Sequence, residues 1–220
     1  MSRHLSRRER KKQETRLGLM EAALRLFGDN GYDATTVKDI TDAADVAKGT
    51  FFNYFDTKEA ILPALAAHRL EQLETVLTSP EEAPSSPVAR IKLALRLVAE
   101  DPLCEPQLAH ELFTAMMSRR DVGPEHGLRD LLAKQVRQGQ AVGEIDPDVD
   151  PLYLAAVIRS LFFQRLVMWH HGHRPAPLPE LIDGSVDLLL DGVGGPARQA
   201  ASTRDGSQPA SGYQAVSTYG

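Results

Sequence analysis

Apolar residues recur at helical spacing along most of the chain. Leu17, Met20, Leu24 and Phe27 follow one another at intervals of three or four residues, which places them on one face of a helix. Similar stripes return in later segments, and no segment carries a convincing hairpin signal. The sequence therefore predicts an all-α protein. After the first helix, further helices are expected at about residues 36–44, 47–54, 57–77, 87–98, 106–118, 124–140, 151–171 and from 179 onward.

Several predicted helix ends carry recognisable boundary residues. The stretch 28–31 (Gly-Asp-Asn-Gly) tolerates positive φ and is expected to end the first helix. Thr36, with Asp39 three residues later, resembles a capping box. Asp45 is placed at a sharp reversal, because aspartate accepts left-handed geometry better than most residues. Ser86–Pro87 has the order of an N-cap and a first helical position, and Asp150–Pro151 is expected to open the longest apolar helix.

The segment 47–54 and the residue after it carry an unusual load of aromatic side chains. A helix of two turns cannot bury four rings on one side, so some of them are expected to face outward with their polar neighbours. Exposed rings beside a cation, hydroxyls and an amide suit a nucleic-acid backbone. The rings are Phe51, Phe52, Tyr54 and Phe55, and the polar neighbours are Lys48, Thr50 and Asn53.

Composition and charge narrow the class of protein. The 220 residues are 42% hydrophobic and 25% charged, as in ordinary globular proteins. The net charge is −5, yet the first 16 residues hold seven basic and two acidic residues, so one end is expected either to meet a polyanion or to be a merely soluble tail. No signal peptide or membrane contact is predicted. A single cysteine, Cys104, fits a reducing cytoplasm.

The run 27–62 (FGDNGYDATTVKDITDAADVAKGTFFNYFDTKEAIL) resembles the N-terminal domain of the TetR family of transcriptional repressors. The resemblance covers roughly residues 13–65. It implies a three-helix, helix-turn-helix DNA-binding domain followed by a larger helical ligand-binding and dimerisation domain. The expected boundaries are a basic flexible arm over 1–12, the DNA-binding domain over 13–58, the body over 59–193 and a disordered tail over 194–220.

In that family the third helix enters the major groove, and the matching positions define the expected contacts. This sequence departs from the family at Asp45, where glycine is usual, and at Ala47, where the usual serine would cap the helix. Asn53 stands where histidine is frequent, and it suits either an adenine edge or a phosphate. The expected DNA-binding residues are Thr36, Lys48, Gly49, Thr50, Phe51, Asn53, Tyr54 and Lys58.

The helix predicted at 151–171 is apolar nearly all round, so it has to be covered on most sides. The resemblance implies that it and the final helix pair with their copies in a homodimer, which suits a palindromic double-stranded operator; the alternative is a core helix of a monomer. Bodies of this type enclose a pocket, here for an unknown small apolar or amphipathic effector. The candidate lining residues are His110, Phe113, Met116, Met117, Phe162, Phe163 and Trp169, any of which can equally be core.

Other chemistry is not indicated. Ser, His and Asp show no catalytic spacing, and there is no glycine-rich phosphate loop, so neither an enzyme nor a cofactor is expected. Adjacent histidines on a helix point about 100° apart, so His170 and His171, even with His173, make a poor metal site. Pro63 either bends the fourth helix or is tolerated near its start. The expected function is an effector-responsive regulator, as repressor or activator; the alternative is an all-α carrier or enzyme.

Overall fold

The structure, a computed structural model, describes residues 6–81, 83–106, 108–109, 111 and 124–192, with the backbone alone at 124–126. Within these residues the regular structure is entirely helical. The helices are α1 (Arg7–Asn30), α2 (Val37–Ala43), α3 (Lys48–Phe51), α4 (Ile61–Thr78), α5 (Pro87–Ala99), α6 (Pro124–Ala141), α7 (Pro151–His170) and α8 (Leu178–Asp191), with 3₁₀ turns at Lys58–Ala60 and Pro102–Cys104. The all-α prediction is confirmed.

The predicted boundary residues act where they were expected. Gly31, at φ 84°, follows the last residue of α1. The Ser86 hydroxyl accepts a hydrogen bond from the amide of Ala89, and Pro87 opens α5. Asp150 caps α7 in the same way, through the amide of Tyr153. These ends are set by local chemistry, because each cap satisfies an amide that the helix itself leaves free.

The first helix begins earlier than predicted. A flexible arm was expected over 1–12, but residues 7–12 form the first turns of α1, and Ser6 caps them. Ser6 and Glu9 exchange two hydrogen bonds, from Glu9 N to Ser6 Oγ (3.2 Å) and from Ser6 N to Glu9 Oε2 (2.8 Å). This reciprocal pair is a capping box, and it corrects the prediction for the part of the arm that the structure describes.

Two hydrophobic cores divide the molecule, and α4 contributes to both. Ile61, Leu62 and Leu65 belong to the N-terminal core, whereas Leu73 and Leu77 belong to the core of the body. The N-terminal core therefore extends past the predicted boundary at residue 58. Pro63 is buried as the third residue of α4, where a helix needs no backbone donor, so it is tolerated near the helix start.

The N-terminal core also receives side chains from the body. Leu103, in the second 3₁₀ turn, and Leu108 are both about 5% exposed and pack with the side chains of α1 to α4. Next to them, Cys104 is buried in the body core, and this burial raises the pKa of its thiol to about 12. A thiol so protonated is a poor nucleophile, so Cys104 is a packing residue.

The body is built around α6, which packs against α4, α5 and α7. The hairpin between α6 and α7 is fixed by the Gln140 side-chain amide, which donates to the carbonyls of Asp146 (2.9 Å) and Val149 (2.8 Å). By length and composition α7 could cross a membrane, but it packs against α6 and α8 within one helical body. The helix also carries two arginines, Arg159 and Arg165, and charged side chains are costly inside a membrane.

Candidate nucleic-acid interface

The start of α2 is closed by the capping box that the sequence predicts. Thr36 Oγ1 accepts from the amide of Asp39 (3.2 Å) and donates to Asp39 Oδ2 (2.7 Å), while the amide of Thr36 donates to the same carboxylate oxygen (2.9 Å). These bonds lower the pKa of Asp39, chiefly through the Thr36 hydroxyl. The hydroxyl of Thr36 is therefore engaged within the protein, although its side chain is exposed.

The turn between α2 and α3 has the geometry expected at Asp45. Its φ is 52°, and among the described residues it is the one non-glycine with a positive φ. The amide of Val46 then donates to the carbonyl of Thr41 (3.0 Å), which closes the reversal. Thr41 is buried, and its hydroxyl donates to the carbonyl of Lys38 (3.0 Å). This buried framework fixes the angle at which α3 leaves α2.

The α3 segment is shorter than predicted. Its α-helical part is Lys48–Phe51, and tighter hydrogen bonds continue from Asn53 N to Thr50 O (3.2 Å) and from Tyr54 N to Phe51 O (2.9 Å). Ala47 supplies no side-chain cap, as expected from its methyl group. Because α2 and α3 have only seven and four residues, their dipoles are small. Direct side-chain contacts therefore matter more here than the helix ends.

The four aromatic rings divide between the inside and the outside. Phe51 and Phe55 are buried, and their ring centroids lie 5.6 Å apart. Phe52 is 52% exposed and meets Phe51 edge-on at 5.3 Å, while Tyr54 is half-buried. The inward pair anchors the segment in the N-terminal core. Phe52 is left on the surface, and Tyr54 packs against the core with part of its side chain still exposed, so some of the four rings face outward as expected.

The predicted DNA-binding residues of the α3 segment, from Lys48 to Tyr54, fall into three groups by exposure. Lys48, Gly49 and Asn53 are exposed, and Thr50 and Tyr54 are half-buried. The Phe51 side chain has no exposed surface, so the predicted contact at this residue is limited to its backbone. With Phe52, the outward residues define what we call the reading surface, which comprises Lys48, Gly49, Thr50, Phe52, Asn53 and Tyr54.

Lys58 serves mainly to hold the domain together. Its ammonium donates to the carbonyls of Tyr32 (2.8 Å) and Thr35 (3.1 Å) and lies 4.2 Å from the centroid of the Tyr32 ring. The loop between α1 and α2 is thereby tied to the turn before α4. An ammonium has three donors, so these two bonds leave one for a phosphate, and the DNA contact predicted at Lys58 stays a prediction.

Two residues near this surface escaped the sequence reasoning. Thr35 is buried, and its hydroxyl lies within hydrogen-bond distance of the carbonyls of Gly31 (2.8 Å) and Leu26 (3.2 Å). The guanidinium of Arg16 lies 5.4 Å from the centroid of the Phe55 ring, which brings α1 beside the end of the α3 segment. The basic character of the N-terminus was the available signal for Arg16, but it gave no position.

Only part of the predicted effector site can be located. Phe162 is buried in the body core, Phe163 is 44% exposed, and Trp169 is partly buried beneath the guanidinium of Arg174 (4.1 Å). Phe162 and Phe163 thus face different environments, and an effector contact at either residue stays a prediction. The remaining candidates, which lie outside the described residues, are His110, Phe113, Met116 and Met117.

A second surface is apolar and lies on the body. Side chains on α7 and one on α8 are large, hydrophobic and at least about 40% exposed, which is unusual for a helix so apolar. A second subunit could cover these side chains, and the homodimer stays a prediction. The residues of this apolar surface are Leu152, Tyr153, Phe163, Val167, Met168 and Leu188.

Comparison with known proteins places this geometry in a family. Residues 19–65 match the family described as "Bacterial regulatory proteins, tetR family". A Bacillus subtilis regulator, the uncharacterised YuxN, is 23% identical over 80% of this chain and 62% of its own length, and the repressor KstR of Rhodococcus jostii is 27% identical over 81% and 84%.

Solved structures agree with the sequence comparisons. The Thermus thermophilus repressor FadR, crystallised with lauroyl-CoA, superposes with a TM-score of 0.64 at 26% identity, covering 82% of this chain and 95% of that one. The matched residues 19–65 contain the capped α2, the Asp45 turn and the reading surface. With that helix-turn-helix joined to a helical body of the same fold, residues 19–65 form a DNA-binding domain of the tetR family, and the chain as a whole resembles TetR-family transcriptional regulators.

Proposed function

We propose that this protein is a dimeric, sequence-specific DNA-binding repressor that a small apolar or amphipathic effector releases from its operator. The observation that carries the proposal is the reading surface. Its cation, amide, hydroxyls and rings face outward from a segment that Phe51 and Phe55 anchor in the core. Recognition of bases and phosphates requires a rigid support that presents polar side chains able to form hydrogen bonds with the DNA.

The reading surface suits the major groove in both size and chemistry. The groove is about 12 Å wide and admits a helix. Lys48 suits a phosphate or a guanine edge, Asn53 suits an adenine edge or a phosphate, and the half-buried Tyr54 suits the backbone. Asp45 adds a negative charge at the turn, so α3 is expected to approach the DNA with its side chains rather than with this turn.

The apolar surface supports the dimer. Two copies related by a two-fold axis would cover Phe163, Val167 and the neighbouring side chains, and would present two reading surfaces in opposite directions along the DNA. Such a pair suits a palindromic operator, with half-sites about one helical turn or more apart. Since its operator is bacterial DNA, the protein works in the cytoplasm.

The effector is proposed from the body and from one relative. The printed description of the Thermus thermophilus repressor gives lauroyl-CoA as its bound molecule. An acyl chain is apolar and its carrier is polar, as expected for an effector that enters a helical body lined by side chains such as Phe162 and Trp169. An effector that binds better when the reading surfaces are wrongly spaced lowers operator affinity by linkage.

The first test concerns the site. Selection from a random duplex pool should yield a palindrome, and Lys48→Ala should weaken binding to it by about tenfold or more, since one good polar contact contributes about 1–3 kcal/mol. Lys134→Ala on α6 removes an equal charge from the body and should leave binding unchanged. Equal operator binding by wild type and by a Lys48→Ala/Tyr54→Ala variant would refute the assignment of the site.

The second test concerns release. Lauroyl-CoA, added to the complex of wild-type protein and operator, should lower the bound fraction in a mobility-shift assay, and free coenzyme A should not. By reciprocity, operator DNA should weaken acyl-CoA binding by the same factor, measured by calorimetry. Binding of acyl-CoA without any change in operator affinity would contradict release by this effector.

A further inference from the structure

The first two turns of α1 stand outside the domain that the rest of the helix supports. Side chains 7–14 are all exposed, and the first buried residue of the helix is Leu19. At a rise of about 1.5 Å per residue, the exposed part extends the helix by roughly 12 Å. The capping box of Ser6 and Glu9 closes its end. This extension is therefore an ordered helix before any partner binds.

The charges on the extension are not distributed evenly around it. Lys12 lies seven positions before Leu19, and Arg8 lies eleven positions before it. Spacings of seven and eleven return to nearly the same side of an α-helix, so this pair continues the side that α1 buries in the N-terminal core. Arg7 and Arg10 lie on the other side.

Neither Arg8 nor Lys12 forms an ion pair with any residue in the described part of the chain. They are four residues apart, where like charges repel each other on a helix. Glu9 is engaged by Ser6, through hydrogen bonds that lower the pKa of its carboxyl group. An anion between Arg8 and Lys12 would remove their repulsion and satisfy the donors of both side chains.

The position of the pair points to DNA as the source of that anion. Arg16, one turn after Lys12, lies 5.4 Å from the centroid of the Phe55 ring at the end of the α3 segment. The extension thus leaves the domain beside the reading surface. DNA seated on that surface would bring a phosphate charge for every ~1.7 Å of helix axis, within reach of long side chains on the neighbouring helix.

We infer that Arg8 and Lys12 form a preordered phosphate clamp, which grips the DNA backbone next to the base pairs contacted by α3. This inference rests on the proposed function. The clamp adds affinity and fixes the orientation of the domain, but it reads no bases, because phosphate contacts carry no sequence information directly. Its order in the free protein distinguishes it from a tail that folds on binding.

The experiment compares two double variants of the full chain on the selected operator. Arg8→Gln/Lys12→Gln removes the clamp, and Arg7→Gln/Arg10→Gln removes the same charge from the other side of the same two turns. Glutamine keeps helix propensity, which circular dichroism checks. For a dimer, the clamp variant should reduce the slope of log K against log salt by about 3.6, and the control by less than about 1. Base preference should stay unchanged in both.

Three outcomes would overturn the clamp. They are an unchanged slope in the clamp variant, an equal reduction in both variants, and a changed base preference. Each of these presupposes a wild-type protein that binds its operator, so the proposed function survives them. If the wild-type protein selects no duplex at all, the proposed function itself fails, and the clamp fails with it.

Discussion

The reading surface and the apolar surface both expose large side chains, but the neighbouring side chains on the two surfaces differ. Phe52 and Tyr54 stand among a lysine, an asparagine and a threonine, whereas Phe163 and Val167 lie on α7, where most of the exposed side chains are apolar. Aromatic rings with donors around them suit a charged, hydrogen-bonding partner, and a mainly apolar face suits another protein. The neighbours of an exposed ring therefore indicate its partner better than the ring does.

The largest effect is expected from charging the apolar surface. Phe163→Glu/Val167→Glu would bury unpaired carboxylates near their symmetry mates, at a cost of several kcal/mol. The dimer should dissociate in sedimentation measurements, and operator affinity should fall at least about 100-fold, since two linked half-sites become one. Leu97→Glu, at a similarly exposed position on α5, is the control and should remain dimeric. A dimer of unchanged stability in the charged variant would rule out this face.

The next effect separates the inward rings from the outward ones. Phe51→Ala should cost about 3–5 kcal/mol of unfolding free energy, because it empties a fully buried site. Phe52→Ala, one residue later, should change stability by about 0.5 kcal/mol or less and mainly weaken DNA binding. Denaturant unfolding gives the unfolding free energy of each variant, and a mobility-shift assay gives its operator affinity. Similar losses of stability would mean that the two rings share one environment.

A smaller effect is expected at the start of α2. Thr36→Ala removes the hydroxyl half of the capping box and should destabilise the protein by about 1 kcal/mol at neutral pH. Thr15→Ala is a suitable comparison, because that hydroxyl bonds a carbonyl inside α1 and caps nothing. An equal loss in both variants would show that the cap at Thr36 has no special role.

The same cap makes a pH dependence of defined sign. Because the folded-state pKa of Asp39 lies below its ordinary value of 3.8, its contribution to stability is present above that value and is lost as the pH falls through the folded pKa. Thr36→Ala should therefore lose less stability than wild type between pH 5 and pH 2. Parallel losses in the two proteins, measured by thermal unfolding, would contradict this assignment.

Local signals explain which features the sequence predicted. The caps at Thr36, Ser86 and Asp150 and the reversal at Asp45 depend on neighbours within a few residues, and all are seen in the structure. The early start of α1 also has a local signal, because Ser6 precedes Glu9 by three residues, which is the spacing of a capping box. The dense positive charge of the segment had favoured a flexible arm instead.

Other features had no local signal. Which of the four rings turns inward depends on the packing of α1 and α4 around α3, so the sequence alone predicts a DNA contact at Phe51 although its ring is buried. The tie from Lys58 to the carbonyls of Tyr32 and Thr35 joins residues more than 20 positions apart. Periodicity and composition describe one element at a time, and they do not indicate contacts between residues that are distant in the sequence.

Leu103 and Leu108 lie far along the chain, yet they complete the core beneath the reading surface. The DNA-binding domain is consequently not an independent folding unit. Joining it to the body of a relative would leave a cavity at the positions of these two leucines, unless residues 103–108 of this chain were transferred as well. The same two side chains couple the body to the DNA-binding domain by direct contact, in addition to the covalent connection through α4.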